Sequence, residues 1–124
     1  MDLSGILLVS DLDGTLIGEN FVVPQRNLDA IARFQQEGGS FAIATGRSIL
    51  SGGHYAELTH PKGPCICLNG TILYDYTQQK MLWDCHLDQR TAAEYIQRLY
   101  DRFPTAGIEY FCSKTIHILR RNAY

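Results

Sequence analysis

The chain opens with an unbroken apolar run, Ile6-Leu7-Leu8-Val9, which stops abruptly at Ser10-Asp11-Leu12-Asp13-Gly14-Thr15-Leu16. Such a run predicts a strand buried on both faces, as strands of parallel sheets are. Leu28, Ile31, Ala32 and Phe34 then recur at the three-to-four spacing of an amphipathic helix that begins at Pro24 and ends at Gly38-Gly39. Phe41-Ala42-Ile43-Ala44 is a second short apolar strand, and it breaks at the polar turn Thr45-Gly46-Arg47-Ser48. A second helical segment over residues 49–58 carries Gly52-Gly53, which weakens it. Cys65-Ile66-Cys67-Leu68 makes a third apolar strand closing on Asn69-Gly70. Three strands separated by helices, each ending in a polar or glycine-rich turn, predict a parallel sheet with its turns along one edge.

From Thr71 the pattern changes. Ile72-Leu73-Tyr74 and Met81-Leu82-Trp83 flank residues 75–80 and predict a β-hairpin on a longer loop. Asp88 to Phe103 reads as a helix with Ala92, Ile96, Leu99 and Phe103 on one stripe, Thr91-Ala92-Ala93-Glu94 as a capping box and Pro104 as its close. Tyr95 and Tyr100 read as packing residues on its faces. Residues 108–112 and 115–119 alternate around Ser113-Lys114 as a second hairpin, and Arg120-Arg121 follows as a solvated strand end. The order is βαβαβ, hairpin, helix, hairpin, which is an α/β chain.

Composition narrows the classes. With 124 residues, 45% hydrophobic and 19% charged, the chain is of ordinary globular make-up and of single-domain size. A net charge of -2 and the lack of a Lys/Arg run argue against a nucleic-acid partner. No apolar stretch approaches the ~20 residues of a membrane span, and the N-terminus lacks the basic start of a secretory signal, so the expected location is the cytoplasm. Cys65, Cys67, Cys85 and Cys112 form no CxxC pair and are expected to be buried thiols in strands. His54, His60, His86 and His117 share no ligand spacing and read as surface or structural residues.

The candidate chemistry lies after the first strand. Alternate residues of an extended chain point the same way, so Asp11 and Asp13 can reach one point. Two carboxylates there call for a cation or a shared proton, and ligands of open α/β sheets gather at the carboxyl ends of strands. The local alternative is a turn in which each Asp bonds nearby amides. An EF-hand fails, because Thr15, Leu16 and Val22 fall on its fifth, sixth and twelfth positions. A P-loop fails because no Gly-Lys-Ser/Thr is present. A receiver-type phospho-acceptor domain needs an Asp ending a later strand, and the strands closing at Ala44 and Leu68 have none.

Asp11-Leu12-Asp13-Gly14-Thr15-Leu16 resembles the first motif of the haloacid dehalogenase-like (HAD) phosphohydrolases, and Thr45-Gly46-Arg47 resembles their second. The Leu68-Asn69-Gly70 turn, followed by a hairpin and an α-then-ββ segment, resembles the Cof-like subgroup, which inserts an α+β cap after the third strand. The resemblance implies a partial Rossmann-like, three-layer parallel core over residues 1–84 and the beginning of an α+β cap over residues 85–124. It implies a Mg²⁺-dependent phosphomonoester hydrolase of small phosphorylated metabolites, such as sugar phosphates, working through an aspartyl-phosphate.

In that reading Asp11 is nucleophile and metal ligand. Asp13 is general acid and then base, its proton held by the neighbouring negative charge, and its backbone carbonyl is the second metal contact. Gly14 lets the chain turn, and the amides around Leu12 and Asp13 face the phosphate. Thr45 offers a hydroxyl and an amide to a phosphoryl oxygen, and Gly46 permits close approach. Arg47 either bonds the phosphate or pairs with a structural carboxylate. Asn69 shapes its turn and touches substrate at the edge of the site. The family also uses a downstream lysine and a Gly-Asp-x-x-x-Asp-type turn. Past Asn69 the acids are Asp75, Asp84, Asp88, Glu94, Asp101 and Glu109, none in such a turn. The expectation is therefore an N-terminal piece of a longer protein, ending inside the cap, that self-associates through surfaces left open. The alternative function is a catalytically incomplete fragment with residual Mg²⁺ or phosphate binding.

Overall fold

A computed structural model describes residues 2–112 and 115–122. The chain divides into two compact units, one up to Cys85 and one from His86. In the first, strand β1 (Leu7–Ser10) pairs in parallel with β2 (Ser40–Ile43), Leu8 opposite Phe41 and Ser10 opposite Ile43. The crossover is helix α1 (Gln25–Gln36), preceded by Pro24, whose fixed φ suits a helix start. α1 buries Ile31, and Gln35 reaches across to donate to the carbonyls of Thr59 and His60. Those carbonyls end helix α2 (Ile49–Thr59), where the last turn has no partners within the helix. At its other end Ser48 Oγ accepts the Ser51 amide at 3.2 Å.

Strand β3 (Cys65–Cys67) continues the parallel arrangement through one bridge, Ile66 to Ala44. The chain then reverses in a turn over Leu68–Gly70, all three residues at positive φ, and returns as β4 (Ile72–Asp75) antiparallel to β3. β5 (Lys80–Asp84) pairs with β4 and completes the expected hairpin. The pairing of that hairpin back onto β3 was not expected. Three successive left-handed residues fold the strand onto its own edge, a conformation in which Asn and Gly are the least costly residues.

Leu12, Leu16, Ile17, Val23, Ile31, Phe41, Ile43, Tyr55 and Cys65 form the core of this unit. β1 departs from expectation. Leu7, Leu8 and Val9 are 56%, 47% and 45% exposed, so the strand is not buried on both faces. Among the described residues its one ladder partner is β2, and nothing covers its other edge.

The second unit holds helix α3 (Gln89–Arg102) and the hairpin β6 (Ile108–Cys112) with β7 (Thr115–Arg120); the turn at Ser113-Lys114 lies outside the described residues. The N-cap of α3 is Asp88, whose carboxylate accepts the Thr91 amide at 2.9 Å, so the expected capping box starting at Thr91 is corrected. Asp88 starts the helix one turn earlier with a charged acceptor, and Thr91 sits inside the first turn. Arg120 is also corrected. Its guanidinium lies 3.8 Å from the Tyr100 ring centroid and donates to the carbonyls of Phe103 and Tyr100, fastening the end of β7 to that of α3. Tyr100 Oη donates to the Leu119 carbonyl, whereas Tyr95 is exposed rather than packed. Cys65 and Cys67 are buried as expected, but Cys85 and Cys112 are exposed, one beyond the end of β5 and one at the end of β6. Among the described residues no helix is long and apolar enough to cross a membrane.

Candidate active site

The loop after β1 is built around one buried side chain. Leu12 is fully buried, while Asp11 and Asp13 on either side of it are exposed, as alternation along an extended chain requires. Leu12 thereby anchors two carboxylates at the sheet's carboxyl edge. The turn is closed by backbone hydrogen bonds from Leu16 to the Asp11 carbonyl, from Thr15 and Ile17 to the Leu12 carbonyl, and from Gly14 to the Ile17 carbonyl. Gly14 has φ +78°, a conformation that strains other residues. The Leu12 amide, expected to face a phosphate, donates instead to Asp11 Oδ1 at 2.7 Å.

The loop after β2 brings the second set of residues. Thr45 is buried, and its amide donates to the Ile66 carbonyl at 2.9 Å, so that amide serves the sheet rather than a ligand. Its Oγ1 accepts the Arg47 amide at 3.1 Å, which leaves the hydroxyl proton to be donated elsewhere. Asn69 shapes the third turn at φ 54°, and its amide donates to the Thr45 carbonyl. A Cβ on Gly46 would lie 2.9 Å from Asn69 Oδ1, so a larger residue there would force the Asn69 side chain to shift.

Arg47 joins the first two loops. Its Nε and Nη2 donate to Asp13 Oδ2 and Oδ1 at 2.8 and 2.6 Å, a bidentate pair. Of the two roles open to Arg47, the structure therefore displays carboxylate pairing. The hydrogen bonds from Arg47 hold Asp13 below the usual carboxylate range, with burial working the other way, and Asp13 in turn raises Arg47. This reverses the direction expected for Asp13, because a cation beside a carboxylate favours its ionised form. Asp11 has no cation partner among the described residues.

Two aromatic residues that the sequence did not single out complete the arrangement. The Arg47 guanidinium carbon lies 5.0 Å from the Tyr55 ring centroid and 5.7 Å from that of Phe21. Tyr55 Oη donates to the Phe21 carbonyl at 3.2 Å. Tyr55 lies on α2, whereas Arg47 precedes that helix's N-cap, Ser48, so no helical spacing relates the two. The place of Phe21 depends on a turn with no local signature.

For a hard divalent cation the donor set fits in kind: Asp11 and Asp13 offer oxygen ligands, and Mg²⁺ is commonly held by one or two carboxylates with water. Among the described residues no group of three or more His, Cys, Asp or Glu side chains comes together.

Acids after the first parallel strand, latched to a base after the second, define an α/β domain with its chemistry at the carboxyl edge of the sheet. A profile of the haloacid dehalogenase-like hydrolases matches residues 8–123, and the chain belongs to that family. It is 33% identical over 76 residues to the pyridoxal phosphate phosphatase YbhA of Escherichia coli, covering 61% of this chain and 28% of that protein. A haloacid dehalogenase-like hydrolase from Bacteroides thetaiotaomicron shares the fold with a TM-score of 0.80 at 21% identity, over 93% of this chain and 44% of that one. A HAD/COF-like hydrolase structure from Plasmodium vivax is 28% identical with a TM-score of 0.69, over 90% of this chain and 42% of that one. Within the family the chain falls in the Cof-like subgroup and corresponds to the N-terminal portion of longer members. It spans about a third of the length of the curated relatives it matches, 34% and 36% in two of them.

Proposed function

We propose that this chain carries the nucleophile half of a Mg²⁺-dependent phosphomonoester hydrolase acting on small phosphorylated metabolites, sugar phosphates among them. The observation that carries the reading is the division of labour between the two acids. Asp11 is exposed at the end of β1 without a cation partner among the described residues, whereas Asp13 is held by Arg47. A carboxylate is ionised at neutral pH without a base to activate it, so Asp11 attacks phosphorus directly and becomes an aspartyl-phosphate. Asp13, carrying a proton taken up from solvent, donates it to the departing oxygen and later takes one from the attacking water. For that exchange Asp13 must be released from Arg47, and an incoming phosphate supplies the competing anion for the same guanidinium. Arg47 thus holds Asp13 before binding and the phosphate after it. The Thr45 hydroxyl donates to a phosphoryl oxygen, and the Gly14 and Gly46 turns give the backbone room to approach. Asp11 and the Asp13 carbonyl would hold Mg²⁺, which when bound offsets the repulsion between Asp11 and an anionic substrate and polarises the phosphoryl oxygen. In this reading residues 1–84 serve the core and residues 85–124 are the start of a cap.

A second reading, binding without turnover, is favoured by the absence of a third carboxylate near the loop among the described residues. Phosphate release from 4-nitrophenyl phosphate, measured with and without Mg²⁺ and beside Asp11→Asn, separates them. Release that needs metal and disappears in the variant supports hydrolysis. Phosphate binding without release supports the second reading, and neither binding nor release overturns both.

A further inference from the structure

Phe21 stands apart in the loop between β1 and α1, where Leu12, Leu16, Ile17 and Val23 are buried in the core. Its side chain is 63% exposed, and its backbone sits at φ +57°, which a bulky residue adopts only at a cost. Three contacts hold it there. The Phe21 amide donates to the Gly18 carbonyl at 3.0 Å, its carbonyl accepts from Tyr55 Oη at 3.2 Å, and its ring stands 5.7 Å from the Arg47 guanidinium. Tyr55 is itself buried in the core, so the loop is tied to a rigid element rather than to solvent-facing residues. A strained backbone maintained by several independent contacts is the kind of outlier that clusters at functional sites.

We propose that Phe21 is a specificity-determining residue, an aromatic wall that receives a planar aromatic or heteroaromatic group attached to the phosphate. The inference rests on the phosphatase reading above and names its substrate class. A phosphate bonded to Arg47 brings its ester substituent within reach of a ring less than 6 Å from that guanidinium. A planar π-system gains offset or edge contact with Phe21 that a polyol of similar size does not. Phe21 takes no part in bond breaking and acts on which ester is held.

The test needs no turnover. Binding of phenylphosphonate and methylphosphonate to this chain is measured by calorimetry, in Mg²⁺, for wild type, Phe21→Leu and Phe21→Trp. Phenylphosphonate is expected to bind about three- to tenfold more tightly than methylphosphonate, in line with the strength of aromatic pairs. Phe21→Leu keeps the apolar bulk and is expected to erase that preference, with methylphosphonate shifted less than about twofold; Phe21→Trp is expected to restore it. Equal affinity for the two phosphonates in wild type, or equal weakening of both by Phe21→Leu, overturns the wall and leaves the phosphate site standing. Failure of wild type to bind either overturns the phosphate site and the wall with it.

Discussion

β1 and β2 lie side by side with matching apolar content, yet they occupy different environments. Phe41, Ala42 and Ile43 of β2 are each 1% exposed, whereas Leu7, Leu8 and Val9 of β1 are about half exposed. Hydrophobicity does not separate them; neighbours do. β2 has β1 along one edge and meets β3 through the Ala44–Ile66 bridge on the other, with α1 and α2 contributing Ile31, Tyr55 and Ala56 to its cover. Among the described residues β1 has a ladder on one edge only. An apolar strand is thus a statement about the partners it requires, and the two strands differ in how many of those partners are present. The same difference reaches the loops: Thr45, ending the sealed strand, is buried, and Asp11, ending the open one, is exposed.

The sharpest way to break this comparison is to empty a side chain from each strand. Phe41→Ala should cost ~3–5 kcal/mol of unfolding free energy, the usual range for a buried Phe. Leu8→Ala, at a position 47% exposed, should cost about 1 kcal/mol, since only half its surface leaves water. Urea unfolding followed by fluorescence measures both. A Leu8→Ala cost above about 2 kcal/mol, growing with protein concentration, would show that another copy covers β1 in solution.

The seal on β2 can be read a second way, from the thiols of β3. Burial pushes the Cys65 thiol up to about 11 and raises Cys67 as well, and both side chains are shielded. A thiol reagent acts on the thiolate, so protonation and burial both slow it. Ellman's reagent at pH 8 should therefore react promptly with Cys85 and Cys112, and with Cys65 and Cys67 only after denaturant is added. Prompt reaction of all four would mean that β3 leaves the edge of β2 readily.

The sequence carried the parts of this arrangement that depend on local periodicity. Strand and helix positions followed from two- and 3.6-residue patterns, and the Asp11-Leu12-Asp13 alternation followed from the geometry of an extended chain. What escaped was set by contacts distant in sequence. The exposure of β1 depends on which strands are present beside it. The return of β4 onto β3 depends on Leu68 adopting φ 47°, against its own preference, because Asn69 and Gly70 continue the turn. The Phe21–Arg47–Tyr55 cluster joins three segments, and no window of the chain contains it. Asp88 displaced Thr91 as the helix cap because the helix starts one turn earlier, where a charged side chain accepts the Thr91 amide.

The smallest expected effect concerns the pair that ties the two strand ends together. Because Arg47 lowers the Asp13 pKa, Asp13 is more acidic in the folded chain than in the unfolded one. A depressed carboxylate stabilises the fold above the unfolded value of about 3.9, and that contribution fades as pH falls through the lower, folded value. Arg47→Met removes the cation and keeps an apolar stem, so the Asp13 titration midpoint, followed by carboxyl carbon NMR, should move back up toward about 3.9. The unfolding midpoint of the variant should then fall less steeply than that of wild type below pH 4. The Asp13 side chain is 49% exposed, so solvent and salt screen the pair and the difference should shrink in high salt. An Asp13 midpoint unmoved by the substitution would mean that Arg47 leaves Asp13 in solution. Arg47 would then be free to meet an arriving anion without first giving up the carboxylate.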